Sequence, residues 1–219
     1  MEARMDAAAS QSSSAASGAS GTRNALIVFA GPSLTGKTTL GRGVSMATGI
    51  RYIDVDDVKQ DLYPDARVLM SREVDMERMF NSYGEMYRRA KERLASGESV
   101  ILIGTHRREI YRDMVYRLAQ EAKVPLIMVI PDLAKISDPV SFISERIKRR
   151  EAMDDSASAL RGPGAFEIAI DAYRNFPLLR REKADHFITV DPAATTEDRL
   201  GSVLPQLRQY LRHEPPRNT

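Results

Sequence analysis

The chain has 219 residues, 42% of them hydrophobic, enough for one sizeable core and far from a disorder-type composition. Its 32 basic and 30 acidic residues leave a net charge of +2, which argues against a dedicated electrostatic binder of nucleic acid or membrane, although a local basic patch stays open. Cysteine is absent, which excludes disulfides and thiolate zinc sites and points to a reducing, cytoplasmic setting. Residues 1–22, rich in Ala, Ser and Gly without an apolar h-region, read as a disordered leader rather than a secretory signal. Residues 25–30 (ALIVFA) form the continuous apolar run of a fully buried parallel strand. A helix over 37–48, closed by Gly49, and a short second strand over 51–55 follow. A long helix is expected over 72–95, with Ser71 as N-cap and Gly97 as stop. Its residues Met76, Phe80, Tyr83, Tyr87, Ala90 and Leu94 recur at three- to four-residue spacing, which suits core packing better than a substrate pocket.

A third strand over 100–103, a helix near 109–122 and a fourth strand over 124–130 come next. Then follow a charged helix over 140–150, a Ser/Ala/Gly loop over 154–164, a helix near 165–175, a last strand over 186–190 and a helix near 197–211. Strands alternating with helices imply an α/β fold with a parallel sheet covered on both faces. With neither repeat nor second core, residues 23–213 read as one domain and 214–219 as a tail. No apolar run approaches the roughly 18 residues of a membrane span. His106, His186 and His213 lie too far apart for metal-ligand spacing.

After the first strand stand Gly31, Pro32, Ser33, Leu34, Thr35, Gly36, Lys37 and Thr38, a match to GxxxxGK[ST] between strand and helix. Backbone N–H groups of such a loop wrap an anion, and the helix that follows adds its positive end. Lys37 would reach the β- and γ-phosphates of a nucleotide, and the Thr38 hydroxyl would ligate Mg²⁺. Asp54, Asp56 and Asp57 follow at the carboxyl end of the second strand, where alternation puts Asp54 and Asp56 on one side. A carboxylate there accepts a proton from an attacking hydroxyl or holds Mg²⁺; alternatively Asp56 or Asp57 caps the next helix. Arg146, Arg149 and Arg150 share a helix face. That face suits a cationic lid over 138–164, hinged near Gly162, Pro163 and Gly164, or a solvated face paired with Glu145 and Glu151. Thr105, His106, Arg107 and Arg108 either bind an acceptor's anionic group or cap a helix in solvent.

On these residues the chain resembles the P-loop kinases of the zeta-toxin and predicted-kinase group, relatives of gluconate, shikimate and nucleotide kinases. The likeness runs over about residues 25–211, at the phosphate loop through Thr39, at Asp56-Asp57-Val58-Lys59 with Leu62, at 145–150, at Asp154-Asp155-Ser156 and at the last strand. It implies a three-layer P-loop fold with five strands in the order 2-3-1-4-5, and an adenine near the last strand. It further implies phosphates and Mg²⁺ on Gly36, Lys37, Thr38 and Thr39, and Asp56 as the base; without an acid at the end of the third strand, Mg²⁺ would be held by Thr38, Asp56 or Asp54, and water. Arg146 and Arg150, with Arg149, would be lid arginines. Two positions depart from the pattern: Leu34 stands where a loop glycine is usual, and the third strand ends in Ile103-Gly104-Thr105 rather than an acid.

The expectation is therefore an ATP·Mg²⁺-dependent kinase acting on a hydroxyl of an unnamed small molecule. A nucleotide-binding regulatory ATPase is the alternative from another class, favoured by the missing acid. A polynucleotide 5′-hydroxyl kinase would need a basic, aromatic groove, which the absence of Trp and the balanced charge disfavour. No guanine-reading NKxD run is present, so adenine is expected.

Overall fold

The computed structural model describes residues 24–64, 72–152, 164–177 and 183–212. The leader, Ser71, the 154–156 segment, the proposed hinge at Gly162 and Pro163, and the tail lie outside the described residues.

Strand β1 (Leu26–Phe29) is wholly buried, and parallel pairing to β3 (Val100–Ile103) and β4 (Leu126–Pro131) satisfies its backbone. With β2 (Tyr52–Asp54) and β5 (His186–Val190), the strands form one parallel sheet in the order β2-β3-β1-β4-β5. Strand periodicity deals the apolar residues to the two faces. Leu26, Val28, Val100, Leu102, Leu126 and Met128 pack under α3 (Arg72–Ala95) and α4 (Glu109–Ala122). Ile27, Phe29, Ile101, Ile103, Ile127 and Val129 pack under α1 (Lys37–Thr48) and α7 (Thr196–Arg212). Each such fully buried side chain contributes roughly 2 kcal/mol. Three layers result, as expected.

The strand expected over 51–55 stops at Asp54, whose side chain accepts from the Asp56 N–H and starts helix α2 (Val55–Leu62). Strand alternation therefore never reaches Asp56; helix geometry, not the pleat, aims its carboxyl. The fourth strand begins at Leu126 rather than 124, because the Val124 N–H is already given to the Ala119 carbonyl at the end of α4. The stripe on α3 divides. Tyr83, Tyr87, Ala90 and Leu94 are core, whereas Met76 and Phe80 are 37% and 45% exposed.

Helices α5 (Pro139–Ala152) and α6 (Ala165–Arg174) make a third, small cluster from Ile143, Ala169 and Ile170. Leu34 of the loop after β1 completes it, 3% exposed. No helix among the described residues is long and apolar enough to cross a membrane.

Candidate active site

The loop between β1 and α1 is held in shape by its own side chains. Thr35 Oγ1 and Lys37 Nζ both donate to the Pro32 carbonyl, each at 2.8 Å. Gly36 precedes α1 at φ 82°, a left-handed conformation that suits glycine. It gives α1 no side-chain cap, and the first turn holds no acid, so the helix's leading N–H groups are open to an anion. Leu34 also lies at φ 68°. Its side chain packs with Ile143, Ala169 and Ile170, so a bulky residue replaces the usual glycine by turning onto α5 and α6.

The three aspartates after β2 have different surroundings. Asp54, 3% exposed, accepts from Thr38 Oγ1 at 3.0 Å and from the Asp56 N–H at 3.1 Å. Burial, then the charge of Asp56, raise its carboxyl to about 6, partly offset by those two hydrogen bonds. Asp57 is engaged on the surface by Arg42, at 3.0 and 3.1 Å. Asp56 caps nothing and has no ion pair among the described residues. It faces a cleft of 610 Å³ whose lining includes Gly36, Thr38, Thr39, Arg146, Arg149 and Arg150. Gly36, Thr38, Thr39, Asp56 and the three arginines thus border one cleft, whereas Lys37 and Thr35 line a small hollow beside Arg199. Burial lowers Lys37 to about 8, with Arg150 pushing the same way and Asp56 and Asp54 opposing. Arg146 donates to the Pro192 carbonyl at 3.0 Å, beside the end of β5.

His106 is fully buried and is not part of the cleft lining. Its N–H donates to the Tyr83 hydroxyl at 3.0 Å. The Tyr87 hydroxyl donates to the Tyr111 carbonyl at 2.8 Å and lies 3.2 Å from His106 Nδ1, which must then carry the ring proton. Burial, with Lys37 and Arg112 adding to it, pushes the imidazole down to about 3. Arg107 pairs with Asp171 on α6, and Arg108 donates to Met76 Sδ. A separate concavity of 680 Å³ lies between α4 and the start of β4, away from the phosphate loop. Its Lys183 and Asp113 pair with each other.

The sequence profile of the AAA domain family matches residues 26–162, which include the loop, the aspartates and the α5 arginines. The chain belongs to the AAA domain family. Uncharacterized proteins of Mycobacterium tuberculosis and Mycobacterium bovis are each 31% identical to this AAA-domain chain over 131 residues, 57% of its length. The matched region spans 25% of those relatives, so they are about four times as long as the part they share with it. A candidate kinase from Chloroflexus aurantiacus superposes with a TM-score of 0.64 at 21% identity, covering 86% of this chain and 98% of its own. A gluconokinase from Sinorhizobium meliloti gives 0.57 at 18%, with 87% and 94% covered. A shikimate kinase from Acinetobacter baumannii, in complex with shikimate, gives 0.56 at 15%, with 86% and 95% covered. By fold, the AAA-domain chain stands with P-loop kinases of the gluconate and shikimate kinase type.

One site residue of the AAA-domain chain escapes the motif reading. Arg199, on α7, is 4% exposed and donates from Nη1 to the Thr35 carbonyl at 3.1 Å. A signal was present: residues 199, 203 and 207 share a helix face, and Val203 and Leu207 are core. An arginine on an otherwise apolar stripe needs a reason.

Proposed function

We propose that the chain is an ATP-dependent phosphotransferase that moves the terminal phosphate onto a hydroxyl of a small molecule. One observation carries this reading. The uncapped start of α1 faces the same cleft as Asp56, which forms no ion pair among the described residues, and the arginines of α5. A protein that only senses nucleotide has little use for that carboxylate. The kinase folds of the superposed structures support the reading at the level of architecture.

The loop N–H groups and Lys37 bind the β- and γ-phosphates. Asp56 accepts the proton of the attacking hydroxyl. Arg146, Arg149 and Arg150 act as a lid that neutralises charge on the transferring group. The Thr38 hydroxyl and the Asp54 carboxylate, with Asp56 beside them, are hard oxygen donors suited to Mg²⁺ and its waters. Bound Mg²⁺ would supply charge neutralisation and orientation of the phosphates. Asp54, one strand away, offers the acid that the end of β3 lacks. The adenine lies toward the end of β5, near Pro192.

Purified protein tested with ATP·Mg²⁺ against sugars, sugar acids, nucleosides, amino-sugars and 5′-hydroxyl oligonucleotides should phosphorylate one class. Asp56→Asn should keep ATP binding and lose about 10²- to 10⁴-fold in kcat. Lys37→Ala should lose both. Tight ATP binding without transfer to any acceptor, and with Asp56→Asn unchanged in ATP turnover, would instead support the regulatory nucleotide binder.

A further inference from the structure

Arg199 sits beneath the phosphate loop rather than in the open cleft. Its guanidinium, with Thr35, lines a small hollow of 20 Å³ among Phe29, Leu40, Val190 and Pro192, while Gly36 lines the 610 Å³ cleft. Nε donates to the Thr195 carbonyl at 3.3 Å and Nη1 to the Thr35 carbonyl at 3.1 Å. A Cβ built on Gly36 would collide with Nη1, so the guanidinium stands directly against that residue. Arg199 forms no salt bridge among the described residues; Asp191 acts on it only at longer range.

A cation buried this far without a contacting carboxylate is costly to desolvate. Two backbone carbonyls offset part of that, and an anion on the other side of the loop would offset more. Peptide geometry makes the link. In a trans peptide the C=O and N–H point in opposite directions. Pinning the Thr35 carbonyl toward Arg199 therefore points the Gly36 N–H away from Arg199, and Gly36 borders the cleft.

We propose that Arg199 is a positioning residue of the nucleotide site, a strut from α7 that fixes the Thr35–Gly36 peptide with its N–H toward the bound phosphates and adds a fixed positive charge beneath them. This rests on the phosphate-loop reading of the site. It also supplies a second reason for glycine at 36, because any side chain there would displace the guanidinium.

The test uses full-length protein, ADP as probe, calorimetry for affinity, and the ¹⁵N–¹H resonance of Gly36. In the wild type, ADP should shift the Gly36 amide and the Arg199 Nε–H together. Arg199→Gln should weaken ADP binding by about 10- to 100-fold, the loss expected for a charge-assisted bond, and should shrink the Gly36 shift. Arg199→Lys, which keeps charge but not the two-armed fork, should fall between. KM for the acceptor should stay unchanged. ADP affinity and Gly36 shift within twofold of wild type in Arg199→Gln would reduce Arg199 to a packing residue and overturn the proposal. If Arg199→Gln does not fold, a wild-type Arg199 Nε–H that stays still while Gly36 moves overturns it equally. A wild type that does not bind ADP at all removes the nucleotide-site reading itself, and the strut with it.

Discussion

Burial raises the Asp54 carboxyl to about 6 and lowers the His106 imidazole to about 3, so the two groups pull stability in opposite directions with pH. Between about pH 4 and 6 folded Asp54 holds a proton that the unfolded chain has lost, which makes the fold less stable as pH rises through that window. His106 does the reverse. From about pH 6.5 down to 3 the unfolded chain is protonated there and the folded chain is not, so stability falls with pH. Where the windows overlap each amounts to about 1.4 kcal/mol per pH unit, and the two offset. Asp54→Asn removes only the first. The variant should be more stable than wild type by on the order of 3 kcal/mol above pH 6, and the difference should vanish below pH 4. Urea titrations of both chains across that range check it. A difference independent of pH would mean that Asp54 is not held against its ionisation. The same substitution should cost activity, because Thr38 and any metal beside it lose a carboxylate.

Leu34 ties the phosphate loop to α5 and α6, and it does so in a left-handed conformation that costs a leucine about 1–2 kcal/mol. Truncation there should invert a familiar ranking. Leu34→Ala keeps the strain and loses the packing, at about 2–5 kcal/mol. Leu34→Gly loses the packing but also the strain, and should be about 1 kcal/mol more stable than the alanine variant, as read by thermal or urea unfolding. Equal or reversed stabilities would mean that Leu34 is not strained. The elements themselves were legible in the sequence because their causes are local. The boundaries of α1, β3, α4 and β5 follow from apolar runs, Gly49 and cap chemistry. Helix α2 was not, because its start depends on Asp54 turning to the Asp56 N–H, a choice that alternation alone does not reveal. The loop, Asp56 and the α5 arginines could be named from motif and spacing. What each aspartate does could not, since burial of Asp54 and capture of Asp57 by Arg42 arise only when α1 and β2 meet. The partnership of Arg199 with Thr35 spans 164 residues and left only its misplaced charge as a trace.

The sheet places the loop after β1 and the aspartates after β2 at the carboxyl ends of its strands, where the switch in strand order around β1 opens a crevice. A ligand that binds only this folded arrangement stabilises all of it. ADP or ATP·Mg²⁺ at a hundred times its Kd should add about 2.7 kcal/mol, a rise in Tm of about 5–10 °C for a chain of this size. Lys37→Ala should abolish the rise in a differential scanning measurement. A rise that survives the substitution would place binding elsewhere. The strand order also puts β2 at a border, three residues long and, among the described residues, paired only with the strand β3. Asp54 ends that strand, and Asp56 sits in the first turn of the helix it launches. The proposed base thus hangs from a fringe of the sheet, while the proposed phosphate loop follows its central strand. Fraying of that fringe would silence transfer yet leave grip on the nucleotide and most of the core intact, so inactivation in mild urea should run ahead of unfolding.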